Sequence, residues 1–145
     1  MLINYSLSSK NLIGYSKEYA KKLGHDYCGM EHILLGLVNS SISGLASKAL
    51  NNVGVTEEKV LKNIESIIGI HPYNNKFLGL TPRAKKVLKI SREESKKLKK
   101  KNVEPIHILL GLMREGENPA IKIFMNCSVD PQELFNEIVK LLKEN

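Results

Sequence analysis

The chain contains two copies of one unit, and this duplication limits the folds that it can adopt. The segment His32–Leu37 recurs as His107–Leu112, 75 residues later, with all six residues identical. The match continues upstream in the same register and downstream with an offset of 74 residues. It divides the chain into repeats at 4–69 and 79–144, joined by a linker at 70–78. An internal repeat of this kind predicts one structural module built twice.

Each copy is predicted to consist of four helices. Thr81 followed by Pro82 is a capping residue with proline at the first helical position, and Asp130 with Pro131 repeats that pattern. No segment alternates polar and apolar residues as a half-buried strand would. One copy of this length would be only marginally stable alone. We therefore predict an all-α fold, in which two tandem four-helix repeats pack as one pseudo-twofold eight-helix domain over residues 1–145.

Apolar and small residues share one face of the predicted helices. In the first helix of each copy, serine and alanine stand among larger apolar residues, which predicts close helix–helix packing because small side chains let two backbones approach. The fourth helices carry aliphatic stripes, which we expect to be buried. The stripes of the first helices are Ser9, Leu12, Ile13, Ser16, Ala20 and Leu23, and Ala84, Val87, Leu88, Ser91, Ser95 and Leu98; those of the fourth are Val60, Ile64, Ile67 and Ile68, and Leu134, Ile138, Leu141 and Leu142.

Motifs for common catalytic and metal-binding sites are absent from the sequence. No Gly-Lys dipeptide occurs, which excludes a P-loop, and there is no His-Glu-x-x-His motif. The four histidines and two cysteines lack the spacing of metal ligands. We predict no catalytic residue, metal or cofactor in this domain. No apolar run approaches the roughly 20 residues of a membrane span, and the first residues lack a signal-peptide pattern. We therefore expect a cytoplasmic protein with no membrane partner.

The histidines of the repeated motif occupy equivalent positions. His32 and His107 each stand at the predicted start of the second helix of their copy, which favours one structural role performed twice. We expect both to be partly buried and hydrogen-bonded. A nucleophilic pair of Cys28 with a histidine remains an alternative, although the second copy has Val103 in place of the cysteine.

The charge of the chain is basic, with 22 Lys and Arg against 15 Asp and Glu and a formal net charge of +7. The densest cluster is Lys96–Lys101, which we interpret as a solvated helix end, where cations are favoured by the helix dipole. The alternative is a basic helical nucleic-acid-binding module. The small number of arginines and the absence of interleaved aromatic residues disfavour nucleic acid as a partner.

Glu31 is the position that most invites a functional interpretation. It falls in the first turn of the second predicted helix, where the dipole alone would favour a carboxylate. In the functional interpretation, Glu31 accepts a guanidinium beside the free N–H groups of a helix N-terminus, which bind anions. We expect Ser6, at the start of the first helix, to lie nearby. A phosphorylated arginine carries both chemical groups.

The duplicated unit resembles the Clp N-terminal repeat domain, in particular that of ClpC-type AAA+ unfoldases of Gram-positive bacteria. The resemblance rests on Glu31–Leu37 and its second copy, on Thr81–Val87 and on Lys22–His25, and it extends over practically the whole chain. It implies a docking domain for adaptor proteins and protein substrates. It also implies a full-length hexamer whose two ATPase modules use ATP and Mg²⁺ and deliver unfolded protein to the ClpP peptidase.

The resemblance further implies two equivalent phosphoarginine pockets, each with a glutamate in the repeated motif. The first pocket keeps Glu31 and Ser6, but Met30 replaces the family threonine. The second keeps Thr81, whereas Ile106 stands at the glutamate position, after Pro105. An isoleucine cannot accept a hydrogen bond from a guanidinium. We therefore predict ligand-binding roles for Glu31, Ser6 and Thr81, loss of the second pocket, and an altered first pocket.

Overall fold

The computed structural model describes residues 4–72, 76–116 and 118–144, and the chain forms eight α-helices within these ranges. Part of the predicted linker, 73–75, lies outside the described residues, as do both ends of the predicted domain 1–145. The helices are α1 (Leu7–Lys22), α2 (Met30–Val38), α3 (Leu45–Asn52), α4 (Glu57–Ile67), α5 (Pro82–Lys97), α6 (Pro105–Arg114), α7 (Pro119–Asn126) and α8 (Pro131–Lys143).

The predicted all-α class, with four helices in each copy, is confirmed. Over the described ranges the chain has no strand, and extended pairing is limited to two isolated bridges, Tyr5 with Val103 and Cys28 with Leu80. No helix among these residues is long and apolar enough to cross a membrane.

The first two helices of each copy pack at short range across a glycine. A Cβ atom at Gly36 would collide with the Ser16 hydroxyl and would lie 2.7 Å from the carbonyl oxygen of Leu12. The second copy repeats this contact at Gly111, which meets the hydroxyl of Ser91. The predicted close approach is therefore present in both copies, and it explains why a glycine interrupts an otherwise aliphatic helix.

One hydrophobic core draws on both copies. Leu34, Leu50 and Ile64 from the first copy and Ile108 and Phe124 from the second are fully buried members of the same cluster. Across the copies, α3 packs against α8, and α7 packs against both α2 and α4. Since each buried Å² of apolar surface contributes about 25 cal/mol, each copy stabilises the other.

The expectation that the stripe of α4 is buried is wrong at two positions, Ile67 and Ile68. Their exposed fractions are 42% and 38%, and Leu98, on the stripe of α5, is 39% exposed. Each of these residues stands at or just after the last residue of its helix, where the chain projects beyond the neighbours that cover the earlier turns. Ile64, one turn before Ile68, is fully buried as predicted.

The two copies are interlocked at the starts of their helices. The backbone N–H of Ser6, which caps α1, donates to the carbonyl of Val103 at 3.0 Å. The N–H of Thr81, which caps α5, donates to the carbonyl of Cys28, also at 3.0 Å. Val103 and Cys28 each stand two residues before a second helix. The first helix of each copy therefore begins beside the second helix of the other copy.

Candidate functional site

The repeated histidines cap the second helices. The N-cap backbone N–H of Gly29 donates to Nδ1 of His32 at 2.9 Å, and that of Glu104 donates to Nδ1 of His107 at the same distance. Both imidazoles are almost fully buried, at 2% exposure. Buried N–H groups at a helix start need an acceptor, and the third helical residue supplies it here. The predicted structural role of both histidines is confirmed.

In the first copy the cap continues into a chain of histidines. His32 Nδ1 accepts a backbone hydrogen, so the proton of the neutral ring is on Nε2, which lies 2.7 Å from His25 Nδ1. His25 Nδ1 must then be an acceptor, and its Nε2–H donates to the carbonyl of Gly69 at 2.8 Å. The backbone donor at Gly29 thus sets both tautomers, and the chain of bonds joins the start of α2 to the end of α4.

Burial determines the acid–base chemistry of the side chains around His25 and His32. It lowers the pKa of His32 to about 3, with His25 as a second and smaller cause. Burial likewise raises the pKa of the Cys28 thiol to about 12. Because a thiolate is the reactive form, a nucleophilic Cys28 is disfavoured. Among the described residues no group of three or more His, Cys, Asp or Glu has the arrangement of a metal site.

Glu31 lies over the start of α2. Its Oε1 occupies the space that a Cβ atom on Gly29 would fill, so its carboxylate stands where an N-cap side chain would otherwise be. The side chain is 13% exposed. Burial raises the pKa of this carboxyl group, while its own backbone N–H and His25 act in the opposite direction. A mostly buried carboxylate that still reaches the surface is suited to accept a cation from a ligand.

A cleft of about 480 Å³, here called the Glu31 cleft, opens beside this carboxylate. It combines the end of α1, the start of α2 and the cap of α5, so both copies contribute to it. The residues that line it are Gly24, His25, Asp26, Tyr27, Gly29, Glu31, His32, Ile68, His71 and Thr81. Thr81 adds the N-terminus of a second helix, whose N–H groups favour anions.

The expected proximity of Ser6 to Glu31 is not found. Gly24 and His25, just after α1, line the Glu31 cleft, whereas Ser6 caps the opposite end of α1. A 16-residue helix is about 24 Å long, and Ser6 is separated from the cleft by that length. The exchange of helix starts between the copies explains the error, because Thr81 of the second copy takes the place that Ser6 was expected to fill.

A second cleft, here called the Ile106 cleft, has a volume of about 640 Å³ at the corresponding junction. Its carboxylate belongs to Glu104, the N-cap of α6, whereas Ile106 is buried at 5% exposure. Gly29 and Glu31 in the first copy are thus replaced by Glu104 and Ile106 in the second. The residues that line it are Ser8, Ser43, Gly44, Leu45, Leu98, Lys100, Glu104, Pro105, Ile106, His107 and Leu142.

The lysine cluster forms the predicted solvated helix end. α5 ends at Lys97, and Lys99 follows with a positive φ of 58°. All five lysines of Lys96–Lys101 are exposed.

A feature that the sequence did not reveal is a groove between α4 and α7, of about 410 Å³. We call it the α4–α7 groove. The aliphatic stripe of α4 is the one indication in the sequence, but a stripe of this kind predicts core residues and not a groove. The residues that line the groove are Glu31, Ile64, Ile67, Ile68, Asn118, Pro119, Lys122 and Ile123.

Comparison with known proteins gives consistent results. The family model of the Clp repeat (R) N-terminal domain matches residues 4–127 and 79–145. The chain is 39% identical over 145 residues to "Negative regulator of genetic competence ClpC/MecB" of Bacillus subtilis, an alignment that covers 100% of this chain and 18% of that protein. The chain therefore spans less than a fifth of the length of this relative.

Two solved structures show the same fold. The N-terminal domain of ClpD from Arabidopsis thaliana has a TM-score of 0.79 at 21% identity, with 98% of this chain and 99% of that one covered. A complex of the ClpV N-domain with VipB peptide has a TM-score of 0.70 at 16% identity, with 96% and 89% covered.

Proposed function

This chain belongs to the Clp repeat N-terminal domain family, and we propose that it docks adaptor proteins and protein substrates for a ClpC-type ATPase, without catalytic chemistry of its own. The observation that carries the proposal is the Glu31 cleft, in which a mostly buried carboxylate and two helix N-termini converge at a junction of the two copies. The complex of the ClpV N-domain with VipB peptide supports a docking role, because in it a domain of this fold is bound to a peptide.

The proposal places this domain in a larger cytoplasmic machine. The relative from Bacillus subtilis is more than five times as long as the aligned region. In the proposed parent protein, ATPase modules outside the aligned region bind ATP and Mg²⁺, and the hexamer passes unfolded protein to the ClpP peptidase. The docking domain contributes by holding the substrate near the ATPase.

Within this role, we propose that Glu31 accepts the guanidinium of a phosphorylated arginine. The carboxylate is aimed by the start of α2, and Thr81 brings the start of α5 to the same cleft for the phosphate. Ser6 caps α1 at the Val103 junction, and no ligand role in this cleft is proposed for it. At the second junction Ile106 offers no acceptor, and the carboxylate in that cleft belongs to the N-cap residue Glu104 instead.

Calorimetry with free phosphoarginine tests the role of Glu31. The variant Glu31→Gln keeps the size of the side chain and removes its charge. A hydrogen bond to a charged group contributes about 1.5–3 kcal/mol, so we expect the variant to bind at least about tenfold more weakly. Equal affinity in the wild type and the variant would contradict the proposal.

A matched variant in the second copy tests the same chemistry by gain of function. Because the Glu31 carboxylate fills the space over Gly29, both positions must be changed to recreate it. The double variant Glu104→Gly/Ile106→Glu supplies a glycine at the N-cap and a glutamate two residues later. We expect a second binding event in calorimetry, whereas Ile106→Glu alone leaves the space over the N-cap occupied by Glu104.

Nucleic-acid binding is the rival function, and the exposed lysines at the end of α5 are the observation that favours it. A gel-shift titration with duplex DNA at two salt concentrations separates the two functions. Phosphate contacts by lysine make affinity fall steeply with salt. Salt-sensitive micromolar binding would support the rival, and the docking proposal expects no shifted band at physiological salt.

A further inference from the structure

Two clefts share two lining residues. Glu31 lines both the Glu31 cleft and the α4–α7 groove, and Ile68 lines both as well. The two openings are therefore neighbours on the surface.

The α4–α7 groove has a different chemistry from the Glu31 cleft. Its floor includes Ile64 and Ile123, which are fully buried, and its rim includes Ile67 at 42% exposure. Pro119 and the second exposed isoleucine, Ile68, extend this aliphatic surface, beside the polar Asn118 and Lys122. Exposed aliphatic side chains around a concave surface mark a binding site for apolar groups.

The second copy supports the view that these two clefts are halves of one groove. At the symmetry-related junction, Leu142 corresponds to Ile68 and Leu45 to Pro119 by the offset of 74 residues. Both line the single Ile106 cleft together with the N-cap Glu104. The helices thus leave one continuous groove at each junction, and the carboxylate of Glu31 divides the groove of the first copy into a charged part and an apolar part.

We propose that this divided groove binds an extended peptide with a guanidinium cation and an aliphatic or aromatic side chain two positions apart. The inference rests on the proposed docking function of Glu31. In an extended chain, residues two apart point to the same side, and they are separated by about 6.6 Å. The cation meets Glu31 in one half of the groove, while the apolar side chain packs against Ile67 in the other.

Fluorescence anisotropy with labelled peptides tests this bipartite recognition. Each peptide contains one arginine or one phosphoarginine, with leucine or serine two positions before or after it. Burial of a leucine side chain contributes about 1.5–3 kcal/mol, so even half of that gives the leucine peptides an advantage of several-fold to about tenfold. The comparison of arginine with phosphoarginine shows which form of the cation the site takes.

Ile67→Gln is the diagnostic variant, because Ile67 lines the α4–α7 groove and is absent from the lining of the Glu31 cleft. Its exposure makes the fold tolerant of the change. We expect the advantage of leucine over serine to disappear, while binding of free phosphoarginine stays unchanged. The matched control is Met125→Gln, at a residue that is 63% exposed and lines neither half of the groove.

The outcomes separate this inference from the docking proposal. A leucine advantage that Ile67→Gln removes and Met125→Gln preserves supports it. Equal binding of leucine and serine peptides, or an advantage that survives Ile67→Gln, overturns it. If those peptides still bind more weakly to the Glu31→Gln variant, the proposed cation site at Glu31 is retained and the apolar half of the groove is rejected. If Glu31→Gln has no effect on any peptide, the inference and the Glu31 proposal both fail.

Discussion

The histidine chain makes the stability of the domain depend on pH in a calculable way. His32 has a folded-state pKa of about 3, against an ordinary value of 6.5. The unfolded chain therefore binds a proton more readily than the folded one. The contribution of neutral His32 to the free energy of unfolding is therefore complete above pH 6.5, and it is lost progressively as the pH falls from 6.5 towards 3. For these two values the loss at pH 5 is about 2 kcal/mol.

The hydrogen-bond geometry gives the physical reason. A proton on His32 Nδ1 would face the N–H of Gly29, so protonation of His32 breaks a buried hydrogen bond and introduces a charge. Glu31 has the opposite effect on stability. Burial raises the pKa of its carboxyl group, so the folded state binds a proton more readily than the unfolded chain, and protonation of Glu31 at low pH stabilises the fold. A comparison of variants is therefore needed to isolate His32.

The variant His32→Asn retains an acceptor for the Gly29 N–H and removes the titrating ring. We expect it to be about 1–2 kcal/mol less stable than the wild type at pH 8, owing to the lost bond to His25 and the lost volume. The difference should shrink by about 2 kcal/mol between pH 8 and pH 5. Urea unfolding followed by circular dichroism at several pH values measures it.

His107→Asn is the equivalent variant in the second copy, where Lys100 replaces the partner histidine. Burial lowers the pKa of His107 as well, so this variant should flatten the pH dependence further when combined with His32→Asn. The reasoning is refuted if the wild type and His32→Asn lose stability in parallel between pH 8 and pH 5.

Two further predictions concern packing and capping. Gly36→Ala should lower the free energy of unfolding by about 1–3 kcal/mol through overpacking, because the new Cβ meets the carbonyl of Leu12 at 2.7 Å. Gly14→Ala, whose Cβ meets nothing within 4 Å, should raise it by about 0.5–1 kcal/mol. Thermal unfolding of both variants checks the pair, and similar shifts would contradict the assigned contact. Asn118→Ala removes the acceptor for the N–H groups of Ala120 and Ile121 and the donor to the carbonyl of Leu112, so a loss of about 2 kcal/mol is expected in urea unfolding, and a change below 0.5 kcal/mol would show that water replaces the cap.

Helix content was predictable because its causes are local. Thr81 and Asp130 cap the helices that follow them, as their positions before proline indicated. The close approach of two helices was also predictable, since small residues on one face of a helix let the backbones come together. Burial at the helix ends was not, because Ile67 and Ile68 continue a buried stripe and only the position of the neighbouring helices shows that they are uncovered.

The candidate site was predicted in part. Glu31 was identified correctly as a carboxylate in the first turn of a helix, and its role in ligand binding stays a prediction. The residue that shares the cleft with Glu31 was not predicted. A repeat shows which residues are equivalent, but it does not show which copy supplies each neighbour. The exchange that brings Thr81 to Glu31 and Ser6 to Val103 is a property of the packed pair.

The order of residues along the chain was sufficient to predict the duplication, the all-helical class, the helix caps and the family. These depend on spacing and on interactions that reach no further than a turn of helix. Assembly of the two copies alone determined the junctions between them, the depth at which His32 and Glu31 lie, and the groove that Glu31 divides. Burial and long-range contact arise only when distant segments exclude water together, so the chemistry of the site depends on the fold that surrounds it.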